Sequence, residues 1–186
     1  MRIVGGQFRG RRLLVPKGLA TRPMTDRVRE ALFSILGDGV EGRRVLDLFA
    51  GSGSLGLESL SRGAAAAVFA DKRPEALAAI RRNIEALGLA PDAARVLRTD
   101  LAKGPGPLKG LSGFDLVFVD PPYGQGLIPG TLSLLTRCGL ASEQALLVAQ
   151  HRSTEVLAET MAGWRLTDQR KYGQTVISFF AAEKTS

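Results

Sequence analysis

The sequence predicts an α/β three-layer sandwich: a mostly parallel, seven-stranded sheet between helices, closed by a C-terminal antiparallel hairpin and preceded by a basic hairpin and helix. Three observations carry that prediction. From residue 44 onward, short apolar runs alternate with amphipathic segments of helical period, the pattern of βαβ units with right-handed crossovers. The first run opens directly onto Gly51-x-Gly53-x-x-Gly56 at a helix start. Asp47, Asp71, Asp100 and Asp120 each fall at the end of a run, which lines the carboxyl edge of the sheet with acid, and open α/β sheets carry their chemistry on that edge.

The elements follow in order. Residues 2–16 hold two short apolar runs around a Gly-rich basic tip, which reads as a hairpin with arginines near its turn. Thr25 caps a helix whose apolar residues Val28, Ala31, Leu32, Ile35 and Leu36 share one face, with Gly37 as its stop. Residues 44–50 form the first strand, and 54–63 a helix with Ser54 as cap and Gly63 at its end. A second strand spans 66–71. Pro74 opens the next helix, with Leu77, Ile80, Ile84 and Leu87 on one face and Gly88 ending it. Residues 94–100 are a third strand, 103–113 a Gly/Pro-rich loop, and 114–119 a strand apolar on both faces, hence central. A helix over 127–140, a strand over 144–150 and a short helix over 154–161 precede the final hairpin, which turns at Gly173-Gln174.

Composition bounds the protein. The chain has 186 residues, 45% of them hydrophobic, the size of one domain, with residues 1–37 as a basic extension packed on it. Cys138 is the only cysteine, so no disulfide framework exists, and a buried inert thiol in a reducing cytoplasm is expected. No run is long and apolar enough for a membrane span. Net charge is +7, and most of it lies in residues 1–30, where Arg2, Arg9, Arg11, Arg12, Lys17, Arg22, Arg27 and Arg29 face only Asp26 and Glu30. Charge gathered at one end, on a segment that also holds structure, is the footprint of a polyanion-binding surface.

The glycine loop with Asp71 twenty residues beyond Gly51 fits a dinucleotide or S-adenosylmethionine equally well by spacing, and glycines also serve mere close packing. Acids at four strand ends favour a cationic sulfonium over a pyrophosphate. Asp47 is expected beside the cation or an amino group, Asp71 on ribose hydroxyls, and Asp100 near a purine amine. Asp120-Pro121-Pro122-Tyr123 supplies what an amine needs to become nucleophilic. An exocyclic amine on a base has its lone pair delocalised into the ring. A carboxylate and a backbone carbonyl that each accept one N–H turn that lone pair outward, by placement and electrostatic complementarity. The prolines stiffen the carbonyl, and Tyr123 offers a face on which an extruded base stacks.

"DLFAGSGSLGLE" with "DPPY" resembles the amino-methyltransferases that use S-adenosylmethionine, and the wider pattern resembles the bacterial 16S ribosomal RNA guanine-N2 methyltransferases. The match spans nearly the whole chain: "RIVGGQFRGRRL", "TRPMTDRVREALFSIL", the glycine loop and "DPPYG". The resemblance implies a Rossmann-like class I methyltransferase fold. It implies S-adenosylmethionine held by Asp47, Ala50, Gly51, Ser52, Gly53, Asp71, Lys72, Asp100 and Leu101, and a reacting amine met by residues 120–123. The substrate implied is the N2 amine of a guanine in 16S ribosomal RNA within a small-subunit particle, acted on by a monomer without a metal. DPPY alone also occurs in enzymes acting on adenine, cytosine and glutamine amides, so an adenine or cytosine of another RNA or DNA stays open. So do two other classes, a dehydrogenase from the glycine loop and an RNA-binding module on a decayed fold. Thr25 and Arg27 read either as helix cap and solvated charge or as a clamp on the donor's carboxylate or a phosphate. Arg2, Arg9, Arg11, Arg12, Arg22 and Arg29 are the expected RNA contacts. His151 is expected as a surface or capping residue.

Overall fold

In the computed structural model, which describes residues 1–16 and 24–183, the strands are β1 (Arg44–Leu48), β2 (Ala66–Asp71), β3 (Ala94–Arg98), β4 (Phe114–Val119), β5 (Ala141–Arg152), β6 (Thr160–Met161), β7 (Trp164–Tyr172) and β8 (Thr175–Ala182). They form one sheet in the order β3-β2-β1-β4-β5-β8-β7-β6. The first five are parallel, and β8, β7 and β6 are antiparallel to their neighbours. The central strands read as unbroken apolar runs because both faces are covered. On β4, Leu116 and Phe118 enter one hydrophobic cluster while Val117 and Val119 enter the other. Each such side chain contributes about 1.5–3 kcal/mol by leaving water.

Helices α1 (Asp26–Leu36), α2 (Ser54–Ser61) and α3 (Pro74–Leu87) pack on the first face, and α4 (Leu127–Arg137) on the second. Their ends follow local chemistry. Thr25 accepts a bond from the Val28 N–H at 3.3 Å to start α1, Pro74 opens α3, and Gly88 in left-handed backbone closes it. The cap of α2 is Gly53 rather than Ser54, which is already helical and buried. Helix α4 stops at Arg137, short of the expected 140, and Cys138 at its cap is half-buried rather than buried.

Three expectations need correction. The sheet has eight strands, because residues 154–161 do not form a helix: they end in β6, which pairs with β7. That segment is too short to nucleate a helix without a face to bury, and Val156 is 91% exposed. Instead the Leu166 N–H bonds the Glu159 carbonyl at 2.7 Å and draws the chain to the sheet edge. The N-terminal hairpin is shorter than expected: the Ile3, Gly10 and Leu13 N–H groups bond the Arg11, Ile3 and Met1 carbonyls around one antiparallel bridge, Arg2 with Arg12, and further backbone groups of the arm bond the body of the protein. The Val4 N–H bonds Glu58, the Gln7 N–H bonds the Ser61 carbonyl at 2.8 Å, and Leu14 exchanges two bonds with the Asn83 amide. Gly6 is required there: its φ is +73°, and a Cβ would stand 1.8 Å from the Ser61 carbonyl oxygen.

Arg29 is the third correction. It is not a surface cation available to RNA but fully buried. Its guanidinium bonds the Arg2 carbonyl and the Asp26 carboxylate (3.0 Å) and faces Glu58 at 3.5 Å. Glu58, itself fully buried, also takes Arg62 at 2.8 Å, so a buried carboxylate is the hinge on which α1, α2 and the arm meet.

Candidate active site

The strand order reverses at β1: the chain runs outward through β2 to β3 and returns to the other side of β1 as β4. Crossovers that part in opposite directions leave a crevice beyond the carboxyl ends of the strands. A cleft of about 1070 Å³, counting its open mouth, lies there between the glycine loop, residues 71–73, 99–102 and 120–123, and Gln150.

The loop forms because Phe49 leaves β1 with φ +61°, a strained conformation for a residue with a Cβ, and Gly51 and Gly53 continue the turn. The Gly53 N–H closes it on the Ala50 carbonyl at 2.7 Å. The glycines differ in purpose. A Cβ on Gly56 would stand 2.3 Å from the Phe69 ring, so Gly56 lets α2 lie close on β2. On Gly51 a Cβ would meet nothing nearer than 3.8 Å, so that backbone stays open to approach from the crevice.

The four acids separate. Asp71 lines the cleft, and four donors converge on it: the Gly51 N–H (2.9 Å), the Arg73 N–H (2.9 Å), and Arg73 Nε (3.1 Å) and Nη2 (3.0 Å). Burial alone would raise its pKa, but the Arg73 and Gly51 donors outweigh it and hold Asp71 below the usual carboxylate range. Asp100 also lines the cleft, accepting from the Ala102 N–H at 3.4 Å, beside Leu101 and Thr99. The Thr99 hydroxyl is buried with no hydrogen-bond partner among the described residues.

Asp47 is a correction. It lies under the loop, 1% exposed, with Oδ2 accepting the Gly56 N–H at 2.9 Å, and it does not line the cleft. Burial pushes its pKa well up, against the Gly56 bond, with Asp120 and Asp71 adding to the rise. It holds the loop to the strand. The expected choice of a sulfonium over a pyrophosphate from four crevice acids therefore loses one acid outright, and a second, Asp71, is neutralised by Arg73.

Asp120 follows β4 and is held across the sheet by a residue sequence reasoning missed. Gln150 Nε2, at the end of β5, lies 2.8 Å from Asp120 Oδ1 and 2.9 Å from the Tyr123 hydroxyl. Burial raises the Asp120 pKa to about 7, with the Gln150 bond opposing it. Burial likewise raises the Tyr123 hydroxyl, Thr175 lies 3.5 Å from its oxygen, and the Arg152 guanidinium stands 5.5 Å from its ring centroid. Pro121 and Pro122 complete this wall.

Of the remaining candidates, Ala50, Ser52 and Lys72 line the cleft. Thr25 and Arg27 are exposed and do not, Thr25 serving as the cap of α1; from that end the described lining residues are Val15 and Met24. Arg2, Arg9, Arg11 and Arg12 are exposed on the arm, Arg11 reaching the Ala86 carbonyl at the end of α3 (2.7 Å). Arg22 lies outside the described residues. His151 is buried rather than superficial, tied to Ser178 at 2.7 Å and to the Arg152 carbonyl. Arg73, Thr99 and Gln150 were not anticipated. Gln150 carried the same signal as Asp120, a polar residue ending an apolar strand.

Known proteins are similar to this chain in sequence and fold. Ribosomal RNA small subunit methyltransferase D of Escherichia coli K12 is 36% identical over 98% of this chain and 90% of its own length, and that of Haemophilus influenzae 33% identical over 93% and 89%. The solved structure of yhhF from Escherichia coli superposes with a TM-score of 0.87 at 36% identity, covering 100% of this chain and 99% of its own. The Thermus thermophilus 16S rRNA N2 G1207 methyltransferase, solved with AdoMet and guanosine, has a TM-score of 0.69 at 21% identity over 90% of this chain and 45% of its own, a likeness of fold. The family described as "Conserved hypothetical protein 95" matches residues 1–181, and with relatives this similar over nearly their whole length, the chain belongs to that family, that of ribosomal RNA small subunit methyltransferase D.

Proposed function

We propose that this chain transfers a methyl group from S-adenosylmethionine to the exocyclic N2 amine of a guanine in small-subunit ribosomal RNA. The observation that carries the reading is the pairing of the Asp120-Pro121-Pro122-Tyr123 wall with the glycine-loop crevice at the switch point of the sheet.

The residues present fit the cofactor. Gly51 leaves backbone open to it, the Asp71 carboxylate faces the space where a ribose would lie, and the partnerless Thr99 hydroxyl beside Asp100 offers polar contacts to an adenine edge. When bound, S-adenosylmethionine supplies an electrophilic methyl on a cationic sulfur. Ala50, Ser52, Lys72 and Leu101 complete the enclosure, whereas Gly53, expected on the cofactor, does not line the cleft and packs toward Ile80 and Phe69.

On the other side, Asp120 Oδ2 and the Pro121 carbonyl accept the two N–H groups of the amine, turning its lone pair out of the ring. The stiff Pro121-Pro122 backbone holds that carbonyl still, and Tyr123 takes the base against its ring. Asp120 must be ionised to accept, and near pH 7 it is poised both to accept a hydrogen bond and then to take the proton that the alkylated nitrogen sheds. The arm arginines Arg9 and Arg12, with Arg2 and Arg11, track the RNA backbone. The substrate is a small-subunit particle, and the enzyme is a cytoplasmic monomer. Among the described residues no helix is long and apolar enough to cross a membrane.

The test is nucleoside analysis of 16S RNA from small-subunit particles of cells lacking the protein, after the particles are incubated with the protein and labelled S-adenosylmethionine. Label in N2-methylguanosine is expected, absent with Asp120→Ala, whose cofactor affinity stays within a few-fold. Label in a methylated adenine or cytosine, or full transfer by Asp120→Ala, contradicts the reading.

A further inference from the structure

Gln150 deepens that reading and rests on it. The side chain is 3% exposed at the end of β5, and a single atom, Nε2, reaches both Asp120 Oδ1 (2.8 Å) and the Tyr123 hydroxyl oxygen (2.9 Å). An amide nitrogen carries two protons, enough for both acceptors. Asp120 Oδ2 accepts no side-chain or backbone bond among the described residues and belongs to a residue that lines the cleft. We propose that Gln150 is a positioning residue of the transfer: one amide fixes the Asp120 carboxyl and the Tyr123 ring relative to each other, so that the amine-accepting oxygen and the stacking ring close on the same base.

Two observations favour this over a merely structural role. Gln150 Oε1 is buried without a partner among the described residues, so the amide is costly where its strand neighbour is Ala149 and its register partner is Ile177. An apolar residue would pack there at lower cost, and what the amide holds is the site. The second is charge. Burial favours the neutral acid at Asp120, and the Gln150 donor is what draws it back toward ionisation. The other groups around it do not take that part. Asp47 from β1 is a like charge, Asp71 across the crevice is paired with Arg73, Arg152 is spent over the Tyr123 ring, and Thr175 from β8 is uncharged.

The experiment compares wild type with Gln150→Met, of similar volume, in single-turnover methyl transfer to small-subunit particles from cells lacking the protein, as a function of pH. S-adenosylhomocysteine titration and difference infrared spectroscopy of the Asp120 carboxyl, assigned with Asp120→Asn, accompany it. Wild-type rate rises with pH through about 7 as Asp120 ionises. In Gln150→Met the rise moves upward by about one pH unit, the rate at pH 7 falls roughly fivefold, and most of it returns by pH 9. The infrared titration moves in step, and S-adenosylhomocysteine affinity changes less than about twofold. An unchanged rate, or one lowered by the same factor at every pH with the carboxyl titration in place, overturns the proposal. Should Gln150→Met not fold, Gln150→Asn, whose amide is withdrawn by one methylene, is read by the same criteria. A wild-type protein that methylates no guanine fails the functional reading instead. The infrared titration needs no substrate and still decides whether Gln150 governs Asp120.

Discussion

Asp120 sets stability against function. Its pKa is raised to about 7 in the fold, so between about pH 4 and 7 the native state keeps a proton that the unfolded chain has released. The stability this brings is present below about pH 4 and lost as pH climbs through 7, where the buried carboxylate weighs against folding. Asp120→Asn is therefore expected to stabilise the protein by on the order of 1 kcal/mol at pH 8, and by nothing measurable at pH 4, in urea unfolding, while abolishing methyl transfer. Asp71→Ala should weaken S-adenosylmethionine binding at least tenfold by calorimetry. The four donors on Asp71 fill the lone-pair positions of a carboxylate, so a ribose engages it only as the Arg73 side chain withdraws. Arg73→Ala should accordingly leave that affinity undiminished. Asp71, Asp100 and Asp120 were legible because a polar residue ending an apolar strand reaches the edge of the sheet. Asp47 was not, since spacing alone does not tell whether such an acid faces the crevice or, as here, turns under the following loop to the Gly56 N–H.

At the scale of elements, strands and helices with a clear period and a chemical cap were readable, as α3 between Pro74 and Gly88 illustrates. What escaped was decided by partners distant in sequence. A helical arginine reads as solvated, yet Arg29 is buried because Glu58, on the next helix, supplies its counter-charge. Residues 154–161 carry apolar side chains at helical spacing, but the edge of β7 offered backbone partners that no helix could match. Glu58→Ala leaves Arg29 buried with half its pairing gone and frees the Val4 N–H, so a loss of about 3–5 kcal/mol in denaturant unfolding is expected. Protease cleavage within residues 1–12 should rise with it. A loss below about 1 kcal/mol would mean that the arm docks by its apolar contacts alone.

For the whole molecule, the parallel core was predicted from alternation and from the glycine loop, while the strand order, which no local pattern specifies, places the crevice at the switch point where the acids and the proline-rich wall meet. The charge imbalance toward residues 1–30 sets one end of the molecule apart from the rest. Replacing Arg9, Arg11 and Arg12 together by alanine should weaken binding to 16S RNA and reduce the slope of log affinity against log salt by about two to three. Arg11, already engaged at the Ala86 carbonyl, should contribute least of the three. An unaltered slope would make the arm a structural clasp only. Beneath all of this lies one geometric claim, that a guanine amine is gripped between Asp120 and the Pro121 carbonyl. The most direct measurement is a crystal structure with S-adenosylhomocysteine and guanosine. Guanine N2 should lie within hydrogen-bond distance of Asp120 Oδ2 and the Pro121 carbonyl oxygen, with the base against Tyr123, whereas a guanine bound with its amine turned away from both oxygens would contradict it.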